Sequence, residues 1–353
     1  MSLLPSLSPL ALAVLIALPP AASAHSPRYT VTQVGVAGSE ATDINSSGAV
    51  VGNFQFGATV THGFVNIAGV ITDLGTLGGP DSYASAINDS NVIVGTSINT
   101  DGYRRAFRYA AGTMVDLGTL GGNNSAAGDI NNRGDIAGWA DLGPDAALEA
   151  RAFLLRPGVS MQDLGRIEVP DAEGSSSAMG LNEHRQVVGG SVVGPYSPPE
   201  SAYHAFLYKC EEMIDLGTLG GQYSVALAIN ERGQVAGESS TPELRANRAF
   251  LYYRGVMKNL GTLPGGEFSS ANDINDHGHV VGHSSGPATG ESDTGWQKAF
   301  IYHAGKMRDL NKMINPASGW VLVSAGGINN SGQIAATGCK GLTCYAVRLD
   351  PLP

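Results

Sequence analysis

Asp73-Leu-Gly-Thr-Leu-Gly-Gly79 returns unchanged at Asp116 to Gly122 and at Asp215 to Gly221, with looser copies from Asp163, Asn259 and Asp309. Repetition at a fixed interval is read first as a repeat architecture. Around this stretch the chain cycles through four pieces in constant order. The first ends in Ile-Asn or Leu-Asn, at Asn45, Asn88, Asn131, Asn182, Asn230, Asn275 and Asn329, spaced by 43, 43, 51, 48, 45 and 54 residues. A short β-branched run follows, as in Val50-Val51-Gly52. The third piece is a basic residue, Ala or Gly, then Phe, as in His204-Ala205-Phe206; the Asp-Leu-Gly stretch is the fourth.

Each piece has strand length and is bounded by Gly, Asn or Pro. The Asn-x-x-Gly between the first two is hairpin chemistry, because Gly or Asn takes the left-handed conformation such a turn needs. Gly48, Gly134, Gly233, Gly278 and Gly332 fit, Asn91 is tolerable, and Arg185 is predicted to be strained. Four strands per unit of about 47 residues is the period of a β-propeller blade. The expected fold is all-β, a seven-bladed propeller of four-stranded antiparallel blades in one domain spanning 25–353. The last unit lacks a fourth strand, and Tyr29-Thr30-Val31-Thr32-Gln33-Val34-Gly35 is a strand without a unit. Pairing them closes the ring and removes the open sheet edge.

The repeated His-Ala-Phe and Asp-Leu-Gly-Thr-Leu-Gly-Gly motifs, with Ile-Asn-x-x-Gly-x-Val-Val-Gly, resemble the HAF family of extracellular bacterial repeat proteins. The resemblance covers about Tyr29 to Leu349 and implies a secreted repeat protein; it adds little about biochemical role. Units three and six depart from it, since Asp163-Leu164-Gly165-Arg166 and Asp309-Leu310-Asn311-Lys312 lack the Gly-Gly.

Residues 1–24 are expected to be a signal peptide: an apolar run from Leu10 to Leu18, Pro19-Pro20, then Ala22-Ser23-Ala24, though without Lys or Arg in the n-region. The run is too short to anchor in a bilayer. Export permits a disulfide, and Cys339 and Cys344, bracketing four residues, are its candidates, leaving Cys210 free. A formal charge of −10 argues against nucleic acid as partner. No membrane insertion, no cofactor and a monomer are expected, with periplasmic and extracellular locations left open.

Residues that recur in every blade are expected to be structural. His62, Arg105, Arg151, His204, Arg248 and Lys298 each precede an Asp or Asn by eleven residues, or twelve in unit three, and a cross-strand ion pair or hydrogen bond is predicted. The first strands carry Ala four residues before each Asn and, in six of the seven, Ser two residues earlier, with Asp43, Asp129 and Asp273 two residues after the Ala. Strand alternation puts all three positions on one face, read as small residues crowding the propeller axis. The alternative is a polar tunnel whose Ser hydroxyls and three Asp bind a cation or ligand. His277, His279 and His283 do not suit one metal ion, because a strand separates them.

The second-to-third connections vary most and share one side of the ring, where binding is expected. Their candidate ligand-binding residues are Tyr103, Arg104, Trp139, Asp141, Tyr196, Tyr203, Arg245, Glu291, Asp293 and Trp296. No nucleophile elbow, zinc helix, phosphate loop or dinucleotide fingerprint appears, so no catalytic residue is assigned. The reading is a binding module for a surface glycan or exported protein. The alternatives are a polysaccharide lyase or hydrolase on the same scaffold, with His283, Tyr203 and Arg245 as one acid/base set, or a structural surface component.

Overall fold

The computed structural model describes residues 28–57, 59–143, 149–168, 174–194, 202–242, 246–287 and 295–353. The signal-peptide segment therefore lies outside the described residues. Among them, seven antiparallel four-stranded sheets follow one another as blades. The inner strands of blades one to seven are Ser39–Ile44, Gly78–Ile87, Ser125–Ile130, Ser176–Leu181, Ser224–Ile229, Phe268–Ile274 and Val321–Ile328. In six blades all four strands are consecutive. In the seventh, the outermost strand is Tyr29–Gln33, paired antiparallel with Thr343–Pro351 in the register Tyr29 to Pro351 through Gln33 to Val347. The ring closes as the unpaired chain ends required.

The core is divided among the seams between blades, and the repeated residues are the ones filling it. Phe64, Phe107, Phe153, Phe206, Phe250 and Phe300 are fully buried. Each stands opposite a second-strand glycine, such as Gly52 or Gly95. A Cβ on Gly52 would lie 2.0 Å from the Glu40 carbonyl oxygen and 2.9 Å from the Phe64 ring, so only glycine fits there. Blade seven carries Ala336 and pairs it with the smaller Val347.

The Asp-Leu-Gly-Thr-Leu stretch proves to be the connector between blades. Asp73 Oδ1 accepts from Gly75 N at 2.8 Å, fixing the turn, and Leu74 is buried in the seam. The Gly75 carbonyl then accepts from Ser82 Oγ of the next blade at 2.6 Å. The same Ser82 hydroxyl accepts from Gly63 N of blade one at 3.0 Å, and Leu77 N donates to Ser97 Oγ at 2.9 Å. Ser125, Ser176, Ser224 and Ser269 repeat this double bond to the preceding blade. Blade seven has no Ser at this position. There Asn311 substitutes, its amide bonding both Leu322 N and Leu322 O. The Ser hydroxyls therefore hold seams and do not line a tunnel.

The Asn residues form a closed ring about the axis. Asn45 Nδ2 donates to the carbonyl of Asn88, and the step repeats through Asn131, Asn182, Asn230, Asn275 and Asn329. Asn329 Nδ2 returns to Asn45 O at 2.9 Å. Each Oδ1 meanwhile accepts the N–H groups two and four residues on, pinning its own hairpin, as at Asn88.

Of the six predicted cross-strand pairs, three form: His62–Asp73 at 2.9 Å, Arg105–Asp116 at 3.1 Å and His204–Asp215 at 2.9 Å. The others diverge for local reasons. Arg151, with one extra residue in its hairpin, donates to Gly174 O at 2.7 Å. Arg248 faces the neutral Asn259 and donates instead to Glu267 O. Lys298 Nζ lies 4.7 Å from the centroid of the Trp296 ring. Cys339 and Cys344 are disulfide-bonded, and Cys210 is free and exposed.

Candidate functional site

Two places on the ring concentrate polar chemistry. At the axis, each inner strand presents an unpaired edge, and a register shift falls between its Ala and the position two residues on, as between Ala41 and Asp43. The shift breaks the alternation assumed from sequence. Ser39 faces the seam, whereas Asp43 turns across the axial edge. Asp43 Oδ1 accepts from Ile44 N at 2.6 Å and Oδ2 from Ile87 N of blade two at 2.9 Å. Asp129 bridges Ile130 N and Leu181 N likewise, and Asp273 bridges Ile274 N and Ile328 N. Three carboxylates thus tie blades one to two, three to four and six to seven.

Burial pushes Asp129 up to about 8, against the pull of its N–H donors and with help from negative Asp43 and Asp273. Burial with the Asp43 charge raises Asp273 to about 7, and burial raises Asp43. All three residues are half-buried by surface area at the axial basin. A second ring surrounds the mouth, where Ser46 N, Asp89 N, Asn132 N, Glu183 N, Glu231 N and Asp276 N each donate to the next blade's Asp, Asn or Glu. The basin these residues enclose holds about 230 Å3. Its carboxylate oxygens are taken up by backbone N–H groups and by side chains such as Asn132 and Asn330, so the arrangement is built to join blades. Among the described residues, no group of three or more His, Cys, Asp or Glu is placed to hold a metal ion.

The other place is on the variable-loop side, at the seam of blades four and five. Tyr203 and Tyr223 stack with centroids 5.8 Å apart and planes 17° apart. Tyr203 N donates to Gln222 O at 3.0 Å, fixing the two segments together. Tyr203 lies against Gly190, where a Cβ would meet its ring at 2.1 Å. At the matching position the other blades carry Asn53, Thr96, Trp139, Glu238, His283 and Thr337. The missing side chain in blade four makes room for the ring. Met179, Val225, Leu227 and Glu238 complete a cavity of about 470 Å3. Asn247 Nδ2 holds the Glu238 carboxylate at 2.8 Å. Burial, then the neighbouring Tyr223, pushes Tyr203 up to about 12; burial and Glu238 raise Tyr223. Both phenols stay protonated at neutral pH and can donate. The cavity offers a flat aromatic wall, an aliphatic floor, two hydroxyls and one oriented carboxylate.

The remaining loop candidates stand apart from it. Tyr103 and Arg104 are exposed on blade two. Trp139 is half-buried on blade three. Asp141 is buried, its Oδ2 bonded to Asn124 N at 3.0 Å and Asn124 Nδ2 at 2.8 Å. Trp296, on blade six, covers Gly286. Tyr196, Arg245, Glu291 and Asp293 lie outside the described residues. His283 stacks on Phe268 at 5.7 Å in blade six, two blades from Tyr203. The His cluster is also rearranged, with His303 packing 4.3 Å from His279. Tyr223, Glu238 and Met179 were not singled out from sequence; the doubled Gly189-Gly190 was the available signal.

No protein-family model matches the sequence, and no curated protein matches it. Solved structures do share the fold. The β-propeller domain of the Trilobed protease from Pyrococcus furiosus, described as having an open velcro topology, superposes with a TM-score of 0.56 at 10% identity, covering 89% of this chain and 98% of that one. An acylaminoacyl peptidase from Pyrococcus horikoshii gives 0.51 at 10% identity, over 86% of this chain and 49% of that one. A puromycin-hydrolysing peptidase from Mycobacterium tuberculosis gives 0.50 at 13% identity, over 92% and 55%. This chain spans about half the length of those two peptidases. The class of protein is thus a seven-bladed β-propeller closed by its N-terminal strand.

Proposed function

We propose that this is a secreted binding module of the HAF-repeat type, exported by its N-terminal segment, that takes a glycan residue into the cavity beside Tyr203 and Tyr223. The observation carrying the reading is that cavity itself, on the side where the loops vary. Flat aromatic surface with a polar tip suits the mixed apolar and hydroxylated faces of a sugar. A mostly apolar pocket with few oriented polar groups is the usual form of a ligand site, and its volume falls within the range of about 300–1,000 Å3. Glu238, held by Asn247, is placed to accept from sugar hydroxyls. The disulfide is in keeping with export, and no helix among the described residues is long and apolar enough to cross a membrane.

The test is a glycan array with the mature chain, followed by analysis of unbound glycans for cleavage. Saturable binding that Tyr223→Ala and Gly190→Ala each abolish is expected, since a Cβ at position 190 displaces the Tyr203 ring. Cleaved glycans would replace the reading with that of an enzyme. Binding unaffected by both substitutions would remove the cavity from it.

A further inference from the structure

On the opposite side of the ring, the seam between blades two and three departs from the repeat in two ways. Third-strand residues Val65, Leu154, Leu207, Leu251 and Ile301 occupy one equivalent position, opposite Val51, Ala137, Val188, Ala236 and Val281. In blade two this position is Arg108, opposite Val94 and exposed. A cation therefore stands where four other blades bury an aliphatic side chain and blade five half-buries one. Blade seven also carries an arginine here, Arg348 opposite Ala335, but its guanidinium is taken up by Asp350 at 2.9 Å and the Gly48 carbonyl at 3.0 Å. The third-to-fourth hairpin also differs. In blades one and two it is a tight turn on Ala68-Gly69 and Ala111-Gly112, with positive φ at both residues. In blade three it lengthens through Pro157 and Gly158, with Val159 N donating to Arg156 O at 3.1 Å, and raises a wall beside Arg156.

The result is a groove of about 490 Å3 with a floor that includes Leu117, Ile136 and Leu155 and with Arg108, Arg133 and Arg156 at its sides. Arg133 spends part of its charge on Glu183, 3.5 Å away. The side chains of Arg108 and Arg156 have no hydrogen-bond or ion-pair partner among the described residues. In a chain of net charge −10, carrying 31 acidic residues against 21 basic ones, two unneutralised guanidiniums over an apolar floor are a local reversal of sign. Guanidinium is planar and presents paired N–H donors that match a carboxylate. The floor has the dimensions for one small ligand and no aromatic side chain to stack on a sugar ring.

We infer that the groove between blades two and three binds a small monocarboxylate with an apolar body, its carboxylate between Arg108 and Arg156 and its hydrocarbon on the aliphatic floor. This site is separate from the glycan cavity and does not depend on it.

Hexanoate is the probe, titrated calorimetrically into the mature protein at low salt beside neutral 1-hexanol. Saturable hexanoate binding is expected, with 1-hexanol at least about tenfold weaker, because charge-assisted hydrogen bonds carry the difference. Arg108→Leu installs the aliphatic residue type that five sister blades carry, so the fold is kept, and should weaken hexanoate about tenfold. Arg156→Ala should do the same. A thermal melt of each variant, unchanged or raised for Arg108→Leu, establishes that the loss is local. No saturable hexanoate binding, equal binding of hexanol, or unchanged affinity in both variants would overturn the inference.

Discussion

Removing one amide from the Asn ring should cost the whole propeller stability, and Asn329, which joins blade seven to blade one, is the place to test it. Its side chain is buried and makes four hydrogen bonds. Nδ2 donates to Asn45 O and to Gln333 Oε1, each at 2.9 Å, and Oδ1 accepts from Ser331 N at 3.1 Å and Gln333 N at 3.0 Å. In Asn329→Ala, the exposed Ser331 N–H and the side-chain Oε1 of half-buried Gln333 can rehydrate, and Asn45 O keeps the bond from Gly48 N. Two groups lose a partner without recovering water, the Gln333 N–H and one lone pair of Asn45 O. At roughly 1–3 kcal/mol for each of these two buried polar groups left unmade, the expected loss is about 2–6 kcal/mol. Asn329→Asp separates the two roles. It keeps both acceptor bonds to its hairpin but turns an oxygen toward Asn45 O and Gln333 Oε1. At pH 7 it should therefore cost at least as much as alanine. Asn230→Ala, with the same pattern inside the ring, should cost a similar amount, because a closed ring has no weaker joint. Urea unfolding followed by tryptophan fluorescence reads these differences. An Asn329→Asp protein as stable as the wild type would show that only the hairpin bonds matter and refute the ring's contribution.

The axial carboxylates set a pH dependence of definite sign. Asp129 and Asp273 are raised in the folded chain to about 8 and about 7, so between the ordinary carboxylate range and those values the native state binds more protons than the unfolded one. Their contribution to stability therefore falls as pH rises through that window, and urea midpoints should drop from pH 5 to pH 8 less steeply in Asp129→Asn than in the wild type; parallel slopes would contradict this. Arg185 sits at φ +59 and holds the fully buried Asp135 at 2.9 Å, fifty residues back in blade three. Arg185→Gly alone should lower the melting temperature by leaving Asp135 with only Asn131 Nδ2 at 3.2 Å. Combined with Asp135→Gln, which copies the Gly233-Gln234 hairpin of blade five, it should melt at or above the wild type. A single Arg185→Gly protein that melts higher than wild type would show that backbone strain outweighs the ion pair.

The unusual φ at Arg185 was legible in the sequence, because a hairpin position filled elsewhere by Gly or Asn has a known backbone requirement. Its partner was not, since Asp135 lies in another blade and nothing local marks it as buried. The stripe of small residues shows the same limit. Alternation predicted that Ser39, Ala41 and Asp43 share a face, and the register shift between Ala41 and Asp43 turned the carboxylate to the axis. A bulge is decided by how the neighbouring blade packs, which one strand's sequence does not carry. Tyr203 was named from its loop, but Tyr223 and Glu238 belong to the next blade and join it only across the seam.

By itself, the sequence determined the number of blades, their strand order and the closure by Tyr29–Gln33. These follow from period, hairpin chemistry and a missing strand, all properties of short segments repeated along the chain. Only the tertiary structure decided what the repeated polar residues touch and which loop residues meet. Those contacts run between blades more than 40 residues apart, as Asn45 to Asn88 does, and depend on the angle at which one sheet packs on the next.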